Sequence, residues 1–384
     1  MRRTPVLIIG GGPAGAAAAA VLARAGAPHL LIERTAQTGD ALCGGFLSWQ
    51  TLQSLALLGV DPARLNPADT THVRLFHNNC TAQARLPRPA KAVSRRRLDG
   101  VMLAQAEQLG ARVERGVWAK ALRNGHVRLD DGAEIIAESV FLATGKRDLR
   151  GAPRPAARSA DPVLGLRMRL APSSRLTALV GTAVELHLVE RGYAGLVLQE
   201  DGSANLCLAI CRSRLEEAGT PAALLAALAR ECPPLGERLG HWAPPLPGGA
   251  TDALATIDAV ANIAYGWRAR TGTAGLFRLG DQAGVIPSLA GEGMGIAIAS
   301  GIRAALAWQR SGPGGAIGYQ RALAASLARP MALAGLISAA AFSANGATWL
   351  LKMAQSAPFL LNIAARLTRI NHSRIDALPV CDNN

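Results

Sequence analysis

Aromatic residues make up only 4% of the chain, and lysine is scarce beside arginine. The formal charge of +14 would suit a nucleic-acid partner. Surfaces that bind nucleic acid combine clustered basic groups with aromatic stacking platforms, whereas here the arginines are scattered through structured segments, so no nucleic-acid partner is expected. CxxC pairs are also missing. Cys43, Cys80, Cys207, Cys211, Cys232 and Cys381 stand apart, and the seven histidines are equally dispersed, so neither a metal site nor a disulfide framework is indicated. Met1-Arg2-Arg3 leads straight into an apolar run with no room for a leader, and a reducing cytoplasm is the expected compartment.

What is present is enough apolar sequence, 49% over 384 residues, for two domains or one large α/β domain with an inserted layer. Residues 6 to 33 organise it. Val6 to Ile9 reads as a buried parallel strand and enters Gly10-Gly11-Gly12-Pro13-Ala14-Gly15, then a helix of small residues from Ala16 to Ala25, a strand from His29 to Ile32, and Glu33. Gly10 allows the tight turn, Gly12 lets backbone approach a pyrophosphate, and Gly15 lets the helix lie close to its strand. The helix N-terminus offers unpaired N–H groups to phosphate, and Glu33 stands where a ribose-binding acid is expected. From this unit alone the dinucleotide is either NAD(P) or FAD.

Further along, Cys43-Gly44-Gly45-Phe46 marks a loop where backbone comes close to something flat or bulky. Cys43 itself is either a small packing residue or part of that approach. Trp49 to Leu58 has helical periodicity, and short extended runs at Val73 to Phe76 and Ala82 to Leu86 precede Pro87 and Pro89. Arg95-Arg96-Arg97 opens a helix closed by Gly110, a place where positive charge is unfavourable unless an anion is near. Val127 to Ile136 forms a hairpin at Asp131-Gly132, Val140 to Gly145 is another buried strand, and Pro153 to Pro162 is a connector. Strands around 164–170, 184–189, 196–199 and 204–210, joined by tight turns, imply an antiparallel sheet, with a helix from Pro221 capped by Thr220. Leu276 to Leu279 is a strand ended by Gly280-Asp281, and Gly291-Glu292-Gly293-Met294-Gly295 opens the helix Ile296 to Trp308, rebuilding phosphate and hydroxyl recognition far from the first site. Residues 302–384 carry eight arginines and lysines against two aspartates, and Met331 to Leu351 has no charge, approaching the ~20 residues of a membrane span. Its serines, Asn345-Gly346 and alanines suit a packed helical layer better. A helix docking on an anionic membrane surface is the next reading.

With these residues the chain resembles the FAD-dependent oxidoreductases of the glutathione-reductase-type fold, in the branch shared by geranylgeranyl reductases, flavin-dependent halogenases and aromatic hydroxylases. The resemblance covers residues 5 to about 310. It implies a doubly wound, Rossmann-like α/β FAD domain from 1–70, 93–155 and 263–312. An antiparallel β-sheet substrate domain would come from 71–92 and 156–262, and a helical tail from 313–384. Gly10, Gly12, Pro13, Ala14, Gly15, Glu33 and Arg34 would hold the ADP half. Arg95, in Arg95-x-x-Leu98-Asp99, would stand near the flavin, Gly280 and Asp281 on the ribityl chain, and Gly291, Gly293, Met294 and Gly295 near the pyrophosphate or ring. Cys43, Gly44 and Gly45 resemble the Cys-Gly-Gly loop of geranylgeranyl reductases and polyketide-associated oxidoreductases, and with Tyr193 and Pro287 they would line the reaction face.

Three departures bear on the reaction. The tryptophan of the reductase motif is missing near Gly195, the stretch Ala143 to Asp148 lacks the hydroxylases' Asp-Gly pair, and the halogenases' Trp-x-Trp-x-Ile-Pro is absent, with Trp242 and Trp267 standing alone. Lys146 and Arg147 would meet a phosphate instead. The expected activity is that of a monooxygenase in which NAD(P)H reduces FAD and oxygen is then activated to hydroxylate a lipophilic phenolic or polyketide-type substrate. The alternative is the reductive branch, saturating an alkene of an isoprenoid or other lipid, with Cys43 as proton donor. A flavin-binding partner without turnover is the third reading, and a partner reductase is a further source of electrons. The tail would bring the protein to the inner face of the membrane.

Overall fold

The structure, a computed structural model, describes residues 2–155, 159–240, 257–261 and 263–370. Cys381, Trp242 and residues 156–158 of the connector lie outside them. β1 (Arg2–Ile9) ends in the fully buried run Val6 to Ile8, and the chain turns at Gly10 into α1 (Pro13–Arg24). Proline at the first helical position loses no hydrogen bond, so the helix starts before Ala16. β2 (His29–Glu33) returns parallel to β1, followed by β3 (Phe46–Leu47) and α2 (Trp49–Leu57), which Ser48 caps. β4 (Thr70–His77) and β5 (Cys80–Ala92) pair antiparallel. β5 continues past Pro87 and Pro89, where prolines should end it. Its register on β4 shifts between Arg85 and Ala90, so neither proline is required to donate to the ladder.

α3 (Arg95–Gln108) is capped by Ser94 and followed by β6 (Arg112–Arg115), β7 (Ala119–Arg123), β8 (His126–Leu129) and β9 (Glu134–Leu142). The next run is β10 (Val163–Leu170), α4 (Ser174–Val180), β11 (Ala183–Val189), β12 (Gly192–Leu198) and β13 (Ala204–Cys211). Then come α5 (Arg212–Ala218), α6 (Pro221–Glu231), α7 (Pro233–Leu239), β14 (Ile257–Val260) and β15 (Leu276–Arg278). α8 (Gly293–Ser311), α9 (Gly315–Ala341), α10 (Ala344–Ser356) and α11 (Phe359–Leu367) complete the described chain.

The strands form two sheets. The first runs β6-β2-β1-β9-β8-β7 with β15 added beside β9, and β6, β2, β1, β9 and β15 are mutually parallel. α1, α3 and α8 cover one face, and the β7–β8 hairpin with Leu149 and Ala152 closes over the other. The second sheet runs β14-β10-β13-β12-β11-β4-β5-β3. One pairing corrects the expectation of an antiparallel sheet: β4 and β11 are parallel. Tight turns fix only the hand of consecutive strands, and these two are separated by the whole excursion into the first sheet. β3 belongs to this second sheet although it lies within residues 1–70.

The uncharged stretch Met331 to Leu351 is not one helix. It breaks at Phe342-Ser343, where the Ser343 hydroxyl accepts from Gly346 N and starts α10. The run Gly293–Ala341 is long and apolar enough to cross a membrane by length and composition, but its α8 part packs against α1 in the core.

Candidate functional site

A cavity of about 1220 Å³ opens where the parallel strands end, bounded by Gly10 after β1, Glu33 of β2, Val117 after β6, Ala143 after β9 and Leu279 after β15. This is the crevice in which open α/β sheets hold ligands. The turn at Gly10 has φ +110°, and a Cβ there would stand 2.5 Å from Ala143 O, so only glycine brings β1 and β9 this close to the ligand side. Gly15 does not reach the cavity. A Cβ on it would lie 1.9 Å from Gly10 O, which makes its task the close seating of α1 on β1.

Two helices point their N-termini into this space, and both lack a side-chain cap. α1 begins at Gly12 and α8 at Glu292-Gly293, whereas α2, α3, α4, α6 and α10 are closed by a serine or threonine hydroxyl. First-turn N–H groups left uncapped beside a cavity suit an anionic ligand. Glu33 accepts from Gly11 N at 2.7 Å and from Thr35 N and Oγ1 at 3.0 and 2.8 Å, which holds its carboxylate at the end of β2. Gly293 has open space where a Cβ would be, and Asp281 and Arg34 stand on the same wall. This donor set fits FAD: N–H groups for the pyrophosphate and carboxylates for ribose and ribityl hydroxyls. Gly10, Gly12, Pro13, Ala14, Glu33, Arg34, Arg95, Gly280, Asp281, Gly291, Gly293 and Met294 all line the cavity.

Gly295 is a correction. It lies behind the wall, where a Cβ would meet Glu292 Oε1 at 2.6 Å and Thr51 Oγ1 at 2.7 Å, so it makes room for a polar cluster and not for the ligand. Pro287 is a second correction. It is buried at the start of a short 3-10 turn, outside the lining, and only carries Ser288 and Leu289 to the wall.

Arg95 pairs with Asp99 through two contacts of 2.8 and 2.6 Å, with its guanidinium 3.3 Å from where a Cβ on Gly12 would sit. Burial opposes its charge, but Asp99 more than compensates and holds its pKa above the ordinary value, so it stays charged at the dinucleotide turn. The anion at the arginine-rich start of α3 is Asp40, whose Oδ1 accepts from Arg95 N at 2.8 Å and Arg96 N at 3.2 Å. Asp40 also pairs with the buried Arg167, which donates at 2.8 Å to Asn205 Oδ1. Asn205 Nδ2 donates at 2.8 Å to Cys43 O, and the Cys207 thiol donates to the same oxygen at 3.1 Å. Gly45, at φ +74°, lets the loop bend under Val93 O. One chain of contacts thus runs from α3 through β10 and β13 to the Cys-Gly-Gly loop. Sequence reading missed Asp40 and the role of Arg167. The only signal was a basic residue alternating into an apolar strand.

Facing this loop, Tyr193 donates to Ser288 Oγ at 2.6 Å, and Tyr265 OH lies 2.6 Å from the same oxygen. Burial raises Tyr193 well above its ordinary pKa, Tyr265 to about 12 and Cys207 to about 12. All three therefore keep their protons on the cavity wall. Beyond them the walls are apolar: Val73 and Leu75 of β4, Leu186 and Leu188 of β11, Leu350 of α10 and Leu361 of α11. The tail is locked to the flavin-side helix by Arg369, which donates at 2.7 Å both to Glu292 Oε2 and to Ala290 O while lying over the Phe46 and Trp49 rings. No sequence motif announced this pair.

Comparison with known proteins agrees with this geometry. Residues 3–136 match the family described as FAD binding domain. The Mycobacterium tuberculosis protein named menaquinone reductase is 31% identical over 157 residues, a match that spans 38% of this chain and 38% of the relative's length. A geranylgeranyl bacteriochlorophyll reductase-like protein from Thermoplasma acidophilum superposes with a TM-score of 0.71 at 18% identity, covering 98% of this chain and 95% of that one. PqsL from Pseudomonas aeruginosa, a probable FAD-dependent monooxygenase, superposes with a TM-score of 0.65 at 18% identity over 90% of this chain and 98% of that one. The chain therefore carries an FAD-binding domain over residues 3–136, in the fold shared by these flavoproteins.

Proposed function

We propose that the chain reduces a carbon–carbon double bond in the long apolar chain of a lipid, with a prenylated quinone as the substrate class and NAD(P)H as the reductant. One observation carries the choice of reduction over hydroxylation. The groups facing the Cys43 loop are the neutral donors Tyr193, Tyr265 and Cys207, and no histidine is among the described lining residues. Of the lining carboxylates, Asp40, Asp99, Asp148 and Asp258 are paired with arginines, while Glu33 and Asp281 are taken by the dinucleotide. Hydroxylating a phenol calls for a base that takes its proton, while saturating an alkene calls for an acid that gives one. Bound FAD, once reduced by NAD(P)H, would supply the hydride for one alkene carbon. Tyr193 delivers the proton to the other carbon, and Tyr265 stands behind it through Ser288 to replace that proton. Asn205 and Cys207 keep the Cys43 loop seated against the site, and the apolar walls exclude water from it.

The name of the Mycobacterium relative supports a quinone lipid, and the apolar arm lined by β4, β11 and the tail suits its chain. Lys146 and Arg147, exposed at the cavity rim, suit the phosphates of NAD(P)H, and a cytoplasmic setting supplies that reductant. The second reading, hydroxylation of a phenolic or polyketide-type substrate, is favoured by the fold shared with PqsL. Mass spectrometry of a prenylated quinone after turnover and aerial reoxidation separates the two. A persistent gain of two hydrogens supports saturation of the chain, because a reduced ring would revert in air. A gain of one oxygen would replace the reductive assignment with hydroxylation.

A further inference from the structure

We propose that the outer faces of α10 and α11, with the end of α9, dock on an anionic phospholipid bilayer and set the mouth of the cavity against its acyl chains. Five of the six exposed large apolar side chains among the described residues lie on these helices: Leu336, Trp349, Phe359, Ile363 and Leu367, exposed by 71%, 58%, 62%, 44% and 39%. Phe359, Ile363 and Leu367 recur every four residues, and so form one stripe along α11. An apolar stripe of this kind on an otherwise soluble surface marks a place of contact.

Charge identifies the occupant. No acidic residue occurs between Glu292 and Asp376, while Lys352 and Arg366 are exposed one turn from Trp349 and Ile363. An apolar stripe flanked only by positive charge complements an anionic lipid surface, and would repel a basic partner. The opposite side of the same helices is the cavity wall. Ile337, Leu350, Leu361 and Ala365 line it, each within two residues of an exposed apolar side chain, and α9, α10 and α11 touch one another. The apolar surface outside is thus continuous with the apolar arm inside, through helices held to β4 and β5 by Thr348–His77 at 3.2 Å and Gln355–Thr81 O at 3.0 Å. The inference rests on the lipid-substrate reading only for what passes inward. Docking itself needs no turnover.

Flotation of the full flavin-loaded chain with vesicles of equal parts phosphatidylglycerol and phosphatidylcholine tests the docking. The protein should rise with these vesicles, and rise much less with phosphatidylcholine alone or in about 0.5 M salt. F359S/I363S should weaken partition on the order of a hundredfold, and K352E/R366E on the order of tenfold or more. R175E/R212E, reversing exposed charges on α4 and α5, should float like the unaltered protein. Each variant is floated after its flavin content and melting temperature are matched to the unaltered chain. Failure of the unaltered chain to float, or equal weakening by R175E/R212E and K352E/R366E, would overturn the proposal. Because flotation is read without any reaction, it stands or falls separately from the assigned chemistry.

Discussion

The two sheets put their polar groups in opposite places. In the first, polar groups gather where the parallel strands end, at Gly11, Glu33 and Asp281, and face the ligand cavity. In the β4–β11 part of the second, they are hidden on the far face. On β11, Leu186 and Leu188 line the cavity, while Glu185 and His187 point the other way, beneath α7. Glu185 is fully buried and accepts from Arg74 at 2.7 Å and from both ends of the Arg238 guanidinium at 3.0 Å. Neutral His187 donates through Nε2 to the same carboxylate at 3.2 Å and accepts at Nδ1 from the Cys232 thiol at 3.6 Å, with Phe76 stacked on its ring at 4.5 Å. The period of two along a strand makes this separation: the first sheet offers its polarity to a ligand, and β4 and β11 of the second keep their ligand face apolar by satisfying their polar residues among themselves.

The most severe way to break this division is at the ligand edge of the first sheet. Gly15→Val would push a branched side chain into Gly10 O, which a Cβ alone already approaches to 1.9 Å. The expected result is loss of soluble, flavin-loaded protein, read by gel filtration at the flavin absorbance. Normal flavin content would show that α1 and β1 can separate without losing the site.

At the start of α8, Arg369→Met would remove the buried guanidinium that pairs with the Glu292 carboxylate. Breaking such a pair typically costs about 3–5 kcal/mol, and urea denaturation should show a loss of that size. E292Q/R369M should recover part of it, because the buried negative charge goes together with the guanidinium that offset it. A loss below about 1 kcal/mol for the single variant would mean that the tail is held by its apolar contacts alone.

On the cavity face of the second sheet, Tyr193→Phe removes the hydroxyl that is hydrogen-bonded to Ser288. The expected effect is a fall in kcat of roughly 10²-fold, with kcat/KM falling equally and flavin content unchanged. Unaltered kcat would show that the tyrosine only packs. A rise in KM alone would make it a binding contact.

The same contrast explains what was legible in the sequence. The first sheet's site uses local signals: a glycine turn after a β-branched run, an acid at a strand end, glycines opening a helix. Each is dictated by backbone geometry within a few residues, so Gly10, Gly12, Glu33, Asp281 and Gly293 could all be singled out and all reach the cavity wall. Gly295 looked like part of the same run, but its neighbours are Glu292 and Thr51, and only the packing of α2 on α8 reveals that. The second sheet's site is made from residues far apart in the chain. Nothing local distinguishes Asp40 from a surface polar residue, and Arg167 shows only as a basic residue alternating into an apolar strand, until β10 and β13 are paired. The Arg369–Glu292 contact is equally silent, because a tail that returns to a helix start leaves no periodicity.

The smallest effect probes the hidden face through pH. Burial lowers the pKa of His187 below its usual 6.5, against the pull of Glu185 and with the help of Arg238 and Arg74. A group whose folded pKa is depressed contributes stability that is fully present above its unfolded pKa and is lost as pH falls toward the folded one. Melting temperature should therefore be flat from pH 8 to about 6.5 and decline below it, with a slope of at most about 1.4 kcal/mol per pH unit from this group. His29, also depressed by burial, shifts stability with pH in the same direction. His187→Gln keeps a donor toward Glu185 without a titrating ring, so it should flatten the decline by the share His187 contributes while leaving that of His29. Glu185, held below its usual 4.5 by His187 and Arg238 against its burial, loses its stabilisation only at more acid pH, which keeps the two windows apart. An H187Q slope identical to that of the unaltered chain between pH 6.5 and 5 would mean that the cluster admits water and protonates freely. The second sheet would then not be hiding its polarity at all.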